Sequence, residues 1–221
     1  TPRHRTLEMK WLAMGGALFS LALALTVVGL WGYSTDAYNE RITWIAALGI
    51  DYHVGIDGLN ALVLLLSALL APLAVLASWG QEERAKPYFA LLSLQFTGLF
   101  GAFTALNFFH WFIFWEMALV PAFFLIKLFG SGENRHSAAL NFFLLTVLGS
   151  VAMLVGFLAV YQKTGTFDFI SLAARARENP IEISPLVFCA IMAGLWVKVP
   201  LVPLHIWQAP AYAAAPTPVV M

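Results

Sequence analysis

Two ionisable residues stand inside long apolar stretches of this sequence. Glu116 lies about ten residues deep in the segment 108–129, and Lys198 lies similarly far from either end of the segment 185–206. A charge at the centre of a bilayer costs ~2.5–3.5 kcal/mol even on insertion scales, so such residues usually pair with each other or line an ion path. The two residues therefore predict an ion-translocating membrane subunit, with a structural ion pair as the alternative.

The chemistry available to such a pair is proton transfer. Burial favours the neutral forms of both side chains, whereas their mutual attraction favours the charged forms. A change in the distance between Glu116 and Lys198 would then move a proton on or off either group. His205 follows Lys198 closely, and because histidine titrates near neutral pH it can relay protons. The alternative for His205 is a histidine bonded at a helix end.

Prolines crowd the segment that carries Lys198. Pro200 and Pro203 follow it directly, and further prolines stand at 210, 216 and 218. A helix cannot run straight through this density of proline. Irregular backbone at membrane depth is tolerated only where protein covers it or where it lines a cavity, and such breaks mark ion sites in transporters. The sequence therefore predicts a broken helix near Pro200 and Pro203.

The other polar and aromatic residues of the spans are predicted to serve packing. Thr146 and Ser150 are interpreted as residues that hydrogen-bond between helices, and the aromatic stretch 108–115 as lipid-facing or interfacial. No CxxC, GxGxxG, P-loop or HExxH motif occurs, and no two histidines stand four apart. We therefore expect no cofactor, metal or redox centre in this chain.

The elements that must position the pair are membrane helices. The chain has 221 residues, of which 61% are hydrophobic and 11% charged, against about 25% charged in soluble domains. Its apolar runs do not alternate with polar residues, which favours helices over barrel strands. We predict an all-α polytopic protein that forms one membrane domain over 1–221. Its about six transmembrane helices are expected at 11–31, 57–79, 88–106, 108–129, 137–161 and 185–206.

The connections indicate an orientation. With the N-terminus in the cytoplasm, the inside segments 1–10, 80–87 and 127–137 hold seven Lys and Arg residues, and the outside segments 32–57 and 162–184 hold four. This asymmetry follows the positive-inside rule. Within the second outside segment, Ser171–Asn179 is predicted to form a short surface helix that ends before Pro180.

Both ends of the sequence suggest a longer protein. The first residue is threonine rather than methionine, and the last residues, Pro218–Met221, fall inside an apolar stretch. We therefore expect the chain to be a fragment of a larger subunit.

Five motifs, in order, resemble one known family. They are YHVGIDGLN at 52–60, FWEMALVP at 114–121, FFLLTVLGS at 142–150, TGTFD at 164–168 and VKVPLVPLH at 197–205. With their spacing they resemble the proton-pumping antiporter-like membrane subunits of complex I (NADH:quinone oxidoreductase). The pattern at 165–168 and around Glu116 is most similar to the subunit M type, the counterpart of mitochondrial chain 4.

The resemblance implies part of a fourteen-helix fold with inverted repeats, whose first helix and whose helices after the seventh are not in this sequence. It implies that Glu116 senses a neighbouring subunit and modulates Lys198, which takes up and releases the pumped proton. The function implied is proton translocation in the membrane arm, coupled to electron transfer from NADH or a related donor to quinone. NADH, FMN, iron–sulfur clusters and quinone would bind partner subunits in a bacterial inner membrane.

The sequence departs from the family at two places, which keeps alternatives open. Asn141 stands where the family usually has lysine, and residues 208–212 read QAPAY where the family has an aspartate and a second histidine. One alternative is a subunit of a multi-subunit cation/proton antiporter or of another complex I-like ion-coupled complex. A further alternative is a membrane scaffold that does not pump.

Overall fold

The computed structural model describes residues 3–30 and 38–221, and within these ranges the chain is mainly helical. The α-helices are α1 Arg3–Leu30, α2 Gly58–Ala77, α3 Ala85–Thr104, α4 Phe108–Phe129, α5 Arg135–Thr164, α6 Phe169–Glu178, α7 Pro185–Lys198 and α8 Gln208–Ala214. Two strands, β1 Asn39–Ile45 and β2 Ile50–Gly55, precede α2. Short 3-10 turns lie at Ala46–Leu48 and Thr217–Val219.

Four stretches of helix are long and apolar enough to cross a bilayer by length and composition. They are Thr6–Gly29 in α1 and the whole of α2, α4 and α5. Helix α3 has the length of a span, with 20 residues, and α7 is an apolar helix of 14 residues. The predicted polytopic helical class is therefore confirmed. The bilayer limits of the six spans stay predictions, and the end of the first, residue 31, lies outside the described residues.

The sixth predicted span is a broken helix, as the prolines indicated. Helix α7 ends at Lys198, and an irregular segment through Trp207 leads into α8. Near the start of α7, Lys163 Nζ donates a hydrogen bond to the Glu182 carbonyl at 2.5 Å. Beyond the break, Ser131 N donates to the Ala214 carbonyl at 2.8 Å. Residues 185–214 thus run alongside α5, from near its C-terminal end to the α4–α5 connection. Helix α7 covers only the first part of this path and ends at Lys198.

A β-hairpin that the sequence did not predict lies between α1 and α2. Strands β1 and β2 pair antiparallel from Asn39–Gly55 to Ile45–Ile50, and Gly49 closes the turn in the left-handed region at φ 60°. Isolated two-stranded hairpins are marginal in water, so packing must stabilise this one. The sequence predicts only a connection at 32–57, so this small two-stranded sheet is an addition to an otherwise helical fold.

The hairpin is stabilised by backbone contacts with two other connections. Leu106 N donates to the His53 carbonyl, Phe169 N to the Leu106 carbonyl, and Phe108 N to the Phe167 carbonyl, each at 2.9 Å. The α1–α2, α3–α4 and α5–α6 connections therefore meet at one end of the helices. Helices α2 to α5 consequently run in alternating directions. The predicted surface helix is confirmed as α6, which begins directly after this junction.

A buried polar cluster joins the hairpin to α6. Asp168 is 1% exposed and His53 is 4% exposed, and the His53 ring hydrogen-bonds through Nδ1 with the Asp168 carboxylate. Its Nε2 hydrogen-bonds with Asn39 Oδ1 at 2.8 Å. Asp168 Oδ1 also accepts hydrogen bonds from Ser171 N at 2.7 Å and Ser171 Oγ at 2.6 Å, which caps the N-terminus of α6. One carboxylate therefore stabilises two elements.

Acidification is expected to loosen the hairpin from α6. Burial alone would raise the pKa of Asp168, but hydrogen bonds from Ser171 and His53 outweigh it and hold the pKa below its ordinary value. A lowered pKa in the folded state contributes stability above the ordinary pKa, and that stability is lost as the pH falls through the folded-state value. Hydrogen exchange of the β2 amides, measured from neutral to acidic pH in the membrane-reconstituted subunit, checks this.

The matched comparison for this prediction is Asp168→Asn against Asp51→Asn. Asp51 lies on the same hairpin and pairs with Arg41 at 2.6 Å, but the Arg41 side chain is 50% exposed. Exposed ion pairs contribute ~0–1 kcal/mol, so Asp51→Asn should change exchange little. Asp168→Asn should speed hydrogen exchange of the β2 amides at neutral pH. It should also make the protection of these amides depend less on acidification. Equal behaviour of the two variants would contradict the role given to Asp168.

Small residues bring the central helices into close contact. A Cβ on Gly98 of α3 would lie 2.7 Å from the Ala118 backbone nitrogen of α4. A Cβ on Gly194 of α7 would lie 2.6 Å from the Gly149 carbonyl oxygen of α5. Membrane helices commonly approach through such small residues. These contacts fix the spacing of α3, α4, α5 and α7, which carry or support the candidate site.

Candidate functional site

Glu116 lies on α4, eight residues from its start, which corresponds to about 12 Å along the axis. The helix begins where Asn107 accepts a hydrogen bond from Phe109 N at 2.9 Å. Helix α3 contacts α4 through Gly98, which lies against Ala118, and through Gly101, which lies against Phe114. Glu116 lies midway between Phe114 and Ala118 in sequence and therefore on the opposite face of α4. Its side chain points away from α3 and toward α5. It is 25% exposed.

Lys198 is the last residue of α7. The break after it leaves carbonyl groups at the end of the helix, and the buried Trp207 supplies one partner, since its Nε1 donates to the Val197 carbonyl at 2.8 Å. Leu201 N donates to the Trp196 carbonyl at 3.0 Å. The C-terminal end of a helix carries a partial negative charge, which stabilises a cation placed there. The broken helix thus keeps partners for its last carbonyl groups and places Lys198 at its negative end.

The structure brings Glu116 and Lys198 together. Lys198 Nζ lies 3.7 Å from Glu116 Oε1, and the lysine side chain is 15% exposed. This separation is within the range of an ion pair but longer than the 2.7–2.9 Å of a charge-assisted hydrogen bond. The predicted pairing is therefore present in a loose form, which small helix movements can tighten or open.

Two further side chains complete the site. Ser150, midway along α5, donates a hydrogen bond from Oγ to Glu116 Oε1 at 2.6 Å. The ring of Trp115 lies under the ammonium, with Lys198 Nζ 5.2 Å from the ring centroid, a distance typical of cation–π contacts. Lys198 therefore has two partners of different kinds, a carboxylate and an aromatic face.

The sequence interpretation of Ser150 and of the aromatic stretch was incomplete. Ser150 does hydrogen-bond between helices, but its partner is Glu116 itself. The stretch 108–115 is predicted to be lipid-facing or interfacial, yet Phe108 is fully buried and stacks on Phe157 with centroids 3.8 Å apart. Trp115 contacts Lys198. The adjacency of Trp115 to Glu116 was visible in the sequence, but nothing in the sequence indicated which face of α5 would meet α4.

His205 is not brought to the pair. Its side chain is exposed in the irregular segment between α7 and α8, and across residues 3–30 and 38–221 no hydrogen bond or ion pair joins it to Glu116 or Lys198. Its role as a proton relay stays a prediction. Asn141, where the family usually has lysine, is also exposed, on α5.

The divergent residues 208–212 lie in α8. This helix packs on α5 through a cluster that includes Ala211, Ala214, Ala138 and Ala139. The alanines at 211 and 214 are 1% and 7% exposed. The altered sequence is thus compatible with close packing against α5. In the part of the chain that the structure describes, no group of three His, Cys, Asp or Glu residues is placed to hold a metal.

The arrangement can perform proton transfer. A carboxylate, an ammonium and a hydroxyl meet on three different helices at the depth where a helix is broken. In a low-dielectric site the interaction between two charges changes steeply with their separation. A movement of α7 relative to α4 would therefore change which of the two groups holds the proton.

Known proteins are similar to this chain in sequence and in architecture. The chain is 36% identical to the F(420)H(2) dehydrogenase subunit M of Methanosarcina mazei, over 95% of this chain and 45% of the relative. It is 36% identical to the NADH-quinone oxidoreductase subunit M of Escherichia coli, over 98% of this chain and 46% of the relative. The chain thus spans less than half the length of these two curated relatives.

Solved structures agree. A chain of respiratory complex I from Thermus thermophilus with bound NADH matches with a TM-score of 0.83 and 30% identity, over 93% of this chain and 43% of that one. A chain of the membrane-bound sulfane sulfur reductase, an archaeal respiratory membrane complex, shares the fold with a TM-score of 0.77 at 22% identity, over 92% of this chain and 32% of that one.

The matched family region contains the whole site. Residues 105–221 match the family described as NADH:quinone oxidoreductase/Mrp antiporter, TM, a range that includes Glu116, Ser150 and Lys198. The resemblance to complex I antiporter-like subunits, closest to subunit M, is confirmed. The chain therefore belongs to the NADH:quinone oxidoreductase/Mrp antiporter transmembrane family.

Proposed function

We propose that this chain is part of a membrane-arm subunit that takes part in proton translocation, in a complex that passes electrons from NADH or a related donor to quinone. The observation that carries the proposal is the Glu116–Lys198 pair, 3.7 Å apart at the end of a broken helix. Family membership supports it, since the most similar relatives include quinone oxidoreductase subunits.

In this function Lys198 carries the proton and Glu116 sets its affinity. With Glu116 close and ionised, the ammonium of Lys198 is favoured, because opposite charges stabilise each other most strongly where water is scarce. When α7 carries Lys198 away from the carboxylate, or the carboxylate gains a proton, the ammonium loses that stabilisation and releases its own proton. Trp115 offers the cation a second, weaker partner besides the carboxylate.

The redox chemistry is proposed to lie in other subunits. NADH or a related donor, FMN, iron–sulfur clusters and quinone would bind there, and this chain would act without a cofactor of its own. Its partners would be the neighbouring membrane-arm subunits. The excess of Lys and Arg at residues 1–10, 80–87 and 127–137 supports a cytoplasmic N-terminus for this stretch of chain. The location we propose is a bacterial inner membrane, since similar proteins include those of Rickettsia and Escherichia coli.

A cation/proton antiporter subunit is the second candidate, because the matched family covers Mrp antiporters as well. Both functions would use the same buried pair. Purification of the tagged full-length subunit with its native partners distinguishes them. Flavin and iron–sulfur proteins that copurify, with quinone reduction by NADH or a related donor, would support the redox-coupled complex. Ion exchange without any redox partner would support the antiporter.

Glu116→Gln tests the translocation itself. In the intact complex, reconstituted in vesicles, we expect protons moved per electron to fall several-fold, because the neutral amide no longer attracts the Lys198 ammonium. Internal acidification, followed with a pH-sensitive dye against the rate of electron transfer, measures this. Glu133→Gln, which changes an exposed carboxylate between α4 and α5, is the control and should pump normally. Normal pumping by Glu116→Gln and Lys198→Ala alike would support a scaffold instead.

A further inference from the structure

We propose that Ser150 is a positioning residue that keeps Glu116 facing Lys198 in both protonation states of the carboxyl group. The inference deepens the proposed function and rests on it. Ser150 lies midway along α5 and is 2% exposed. Its Oγ contacts Oε1 of Glu116 at 2.6 Å, and the same oxygen faces Lys198 Nζ at 3.7 Å. The hydroxyl is thus bound to the one carboxyl oxygen through which the pair interacts.

The Ser150 hydroxyl has two acceptors within reach and only one proton. Besides Glu116 Oε1, its Oγ lies 3.0 Å from the Thr146 carbonyl oxygen of its own helix. A serine hydroxyl donates one hydrogen bond and accepts up to two. The proton of Ser150 can therefore point to α4 or to the α5 backbone, and the Oγ atom need not move between the two arrangements.

These two arrangements match the two states of Glu116. When the carboxylate is ionised, the Ser150 O–H donates to Oε1. When Lys198 loses one proton from Nζ and Oε1 gains one, the new carboxyl O–H donates to Ser150 Oγ, and the serine proton turns to the Thr146 carbonyl. One proton moves between the pair and no other reactant is needed. The contact between α4 and α5 therefore survives the proton transfer, and Glu116 stays aimed at Lys198.

Thr146 shows why this role differs from packing. It is fully buried one turn earlier on α5, and its hydroxyl donates within its own helix, to the Phe142 carbonyl at 2.6 Å and the Phe143 carbonyl at 3.1 Å. Such back-bonding satisfies a hydroxyl without any contact to another helix. Both buried hydroxyls thus contact a backbone carbonyl of their own helix, and of the two Ser150 alone also contacts Glu116.

The test compares Ser150→Ala, Ser150→Thr and Thr146→Val in the intact complex. Infrared difference spectroscopy measures the carboxyl stretching band of Glu116, identified by its loss in Glu116→Gln, and vesicle acidification measures protons per electron. We expect Ser150→Ala to move the band to higher frequency, because a hydrogen bond to the carboxyl is lost, and to lower translocation about twofold, less than Glu116→Gln does. Ser150→Thr keeps a hydroxyl and should retain the band, and Thr146→Val should change neither measurement.

Two results would overturn the proposal. One is an unchanged Glu116 band in Ser150→Ala. The other is a Thr146→Val variant whose band shifts and translocation falls as much as in Ser150→Ala, which would make both residues packing positions. The infrared band reports the Ser150–Glu116 contact whether or not the complex pumps. A shifted band in a complex that moves no protons would therefore count against the proposed function and not against the role of Ser150.

Discussion

Lys198→Met is expected to abolish proton translocation in the intact complex while the subunit still assembles. Methionine keeps an unbranched apolar side chain, so α7 retains its packing, but the ammonium that faces Glu116 at 3.7 Å and Trp115 at 5.2 Å is lost. Helix α7 has no other basic residue. The rate of proton transfer through the site should fall about 100-fold, the low end of what a positioned acid–base group contributes, so almost no protons should be moved per electron. Vesicle acidification during quinone reduction measures this.

Lys198→Arg sharpens the same prediction. Arginine stays charged at any pH a protein survives, so it keeps the attraction to Glu116 but cannot release a proton. We expect normal assembly with no translocation. Lys127→Met is the control, because Lys127 also lies over an aromatic ring, that of Phe123 at 5.2 Å, near the far end of α4. It should pump normally. Normal pumping by Lys198→Arg would show that Lys198 does not release protons.

Gly194→Ala is expected to separate α7 from α5 and to impair the site at a distance. The added Cβ would lie 2.5 Å from Met153 Cβ and 2.6 Å from the Gly149 carbonyl oxygen, and one of these neighbours is backbone that cannot rotate away. Overpacking of this kind costs ~1–3 kcal/mol. Because Gly194 lies one turn before Lys198 on the same side of α7, the displacement should also move the ammonium away from Glu116.

The measurements for this variant are the thermal stability of the purified complex and its protons per electron, both of which should fall. Gly15→Ala on α1 is the matched control, since no atom lies within 4 Å of a Cβ placed there. Alanine favours a helix over glycine by about 1 kcal/mol at either position, so the difference between the two variants reports the packing against α5. If both variants keep wild-type stability, close contact at Gly194 does not matter.

Many residues of the five family-like motifs define helix ends and hold the hairpin in place. In the motif at 52–60, Asp57 and Asn60 form the capping box of α2, and His53 joins the buried cluster with Asp168. In the motif at 164–168, Gly165 ends α5 in the left-handed region at φ 67° and Asp168 begins α6. These residues set the ends of helices and the position of the hairpin. The proton chemistry that we propose is concentrated in the motifs that hold Glu116, Ser150 and Lys198.

By itself the sequence determined the helical membrane class, the two ionisable residues Glu116 and Lys198 within apolar segments, the helix break after Lys198 and the short helix before Pro180. Each of these depends on neighbouring residues, because apolar length, capping side chains and proline act within one or two turns of the chain. The hairpin was missed because its stability depends on contacts beyond its own residues. His53 and Asp168, for example, are 115 positions apart.

Only the tertiary structure decided how the pair is held. The 3.7 Å separation of Glu116 and Lys198, the ring of Trp115 beneath the ammonium, and the hydrogen bond from Ser150, 34 positions from Glu116, all follow from the close approach of helices at small residues. The composition of each helix indicates which faces are apolar, but not how one helix is rotated against the next. That rotation sets whether a buried hydroxyl bonds its own backbone, as Thr146 does, or a carboxylate, as Ser150 does.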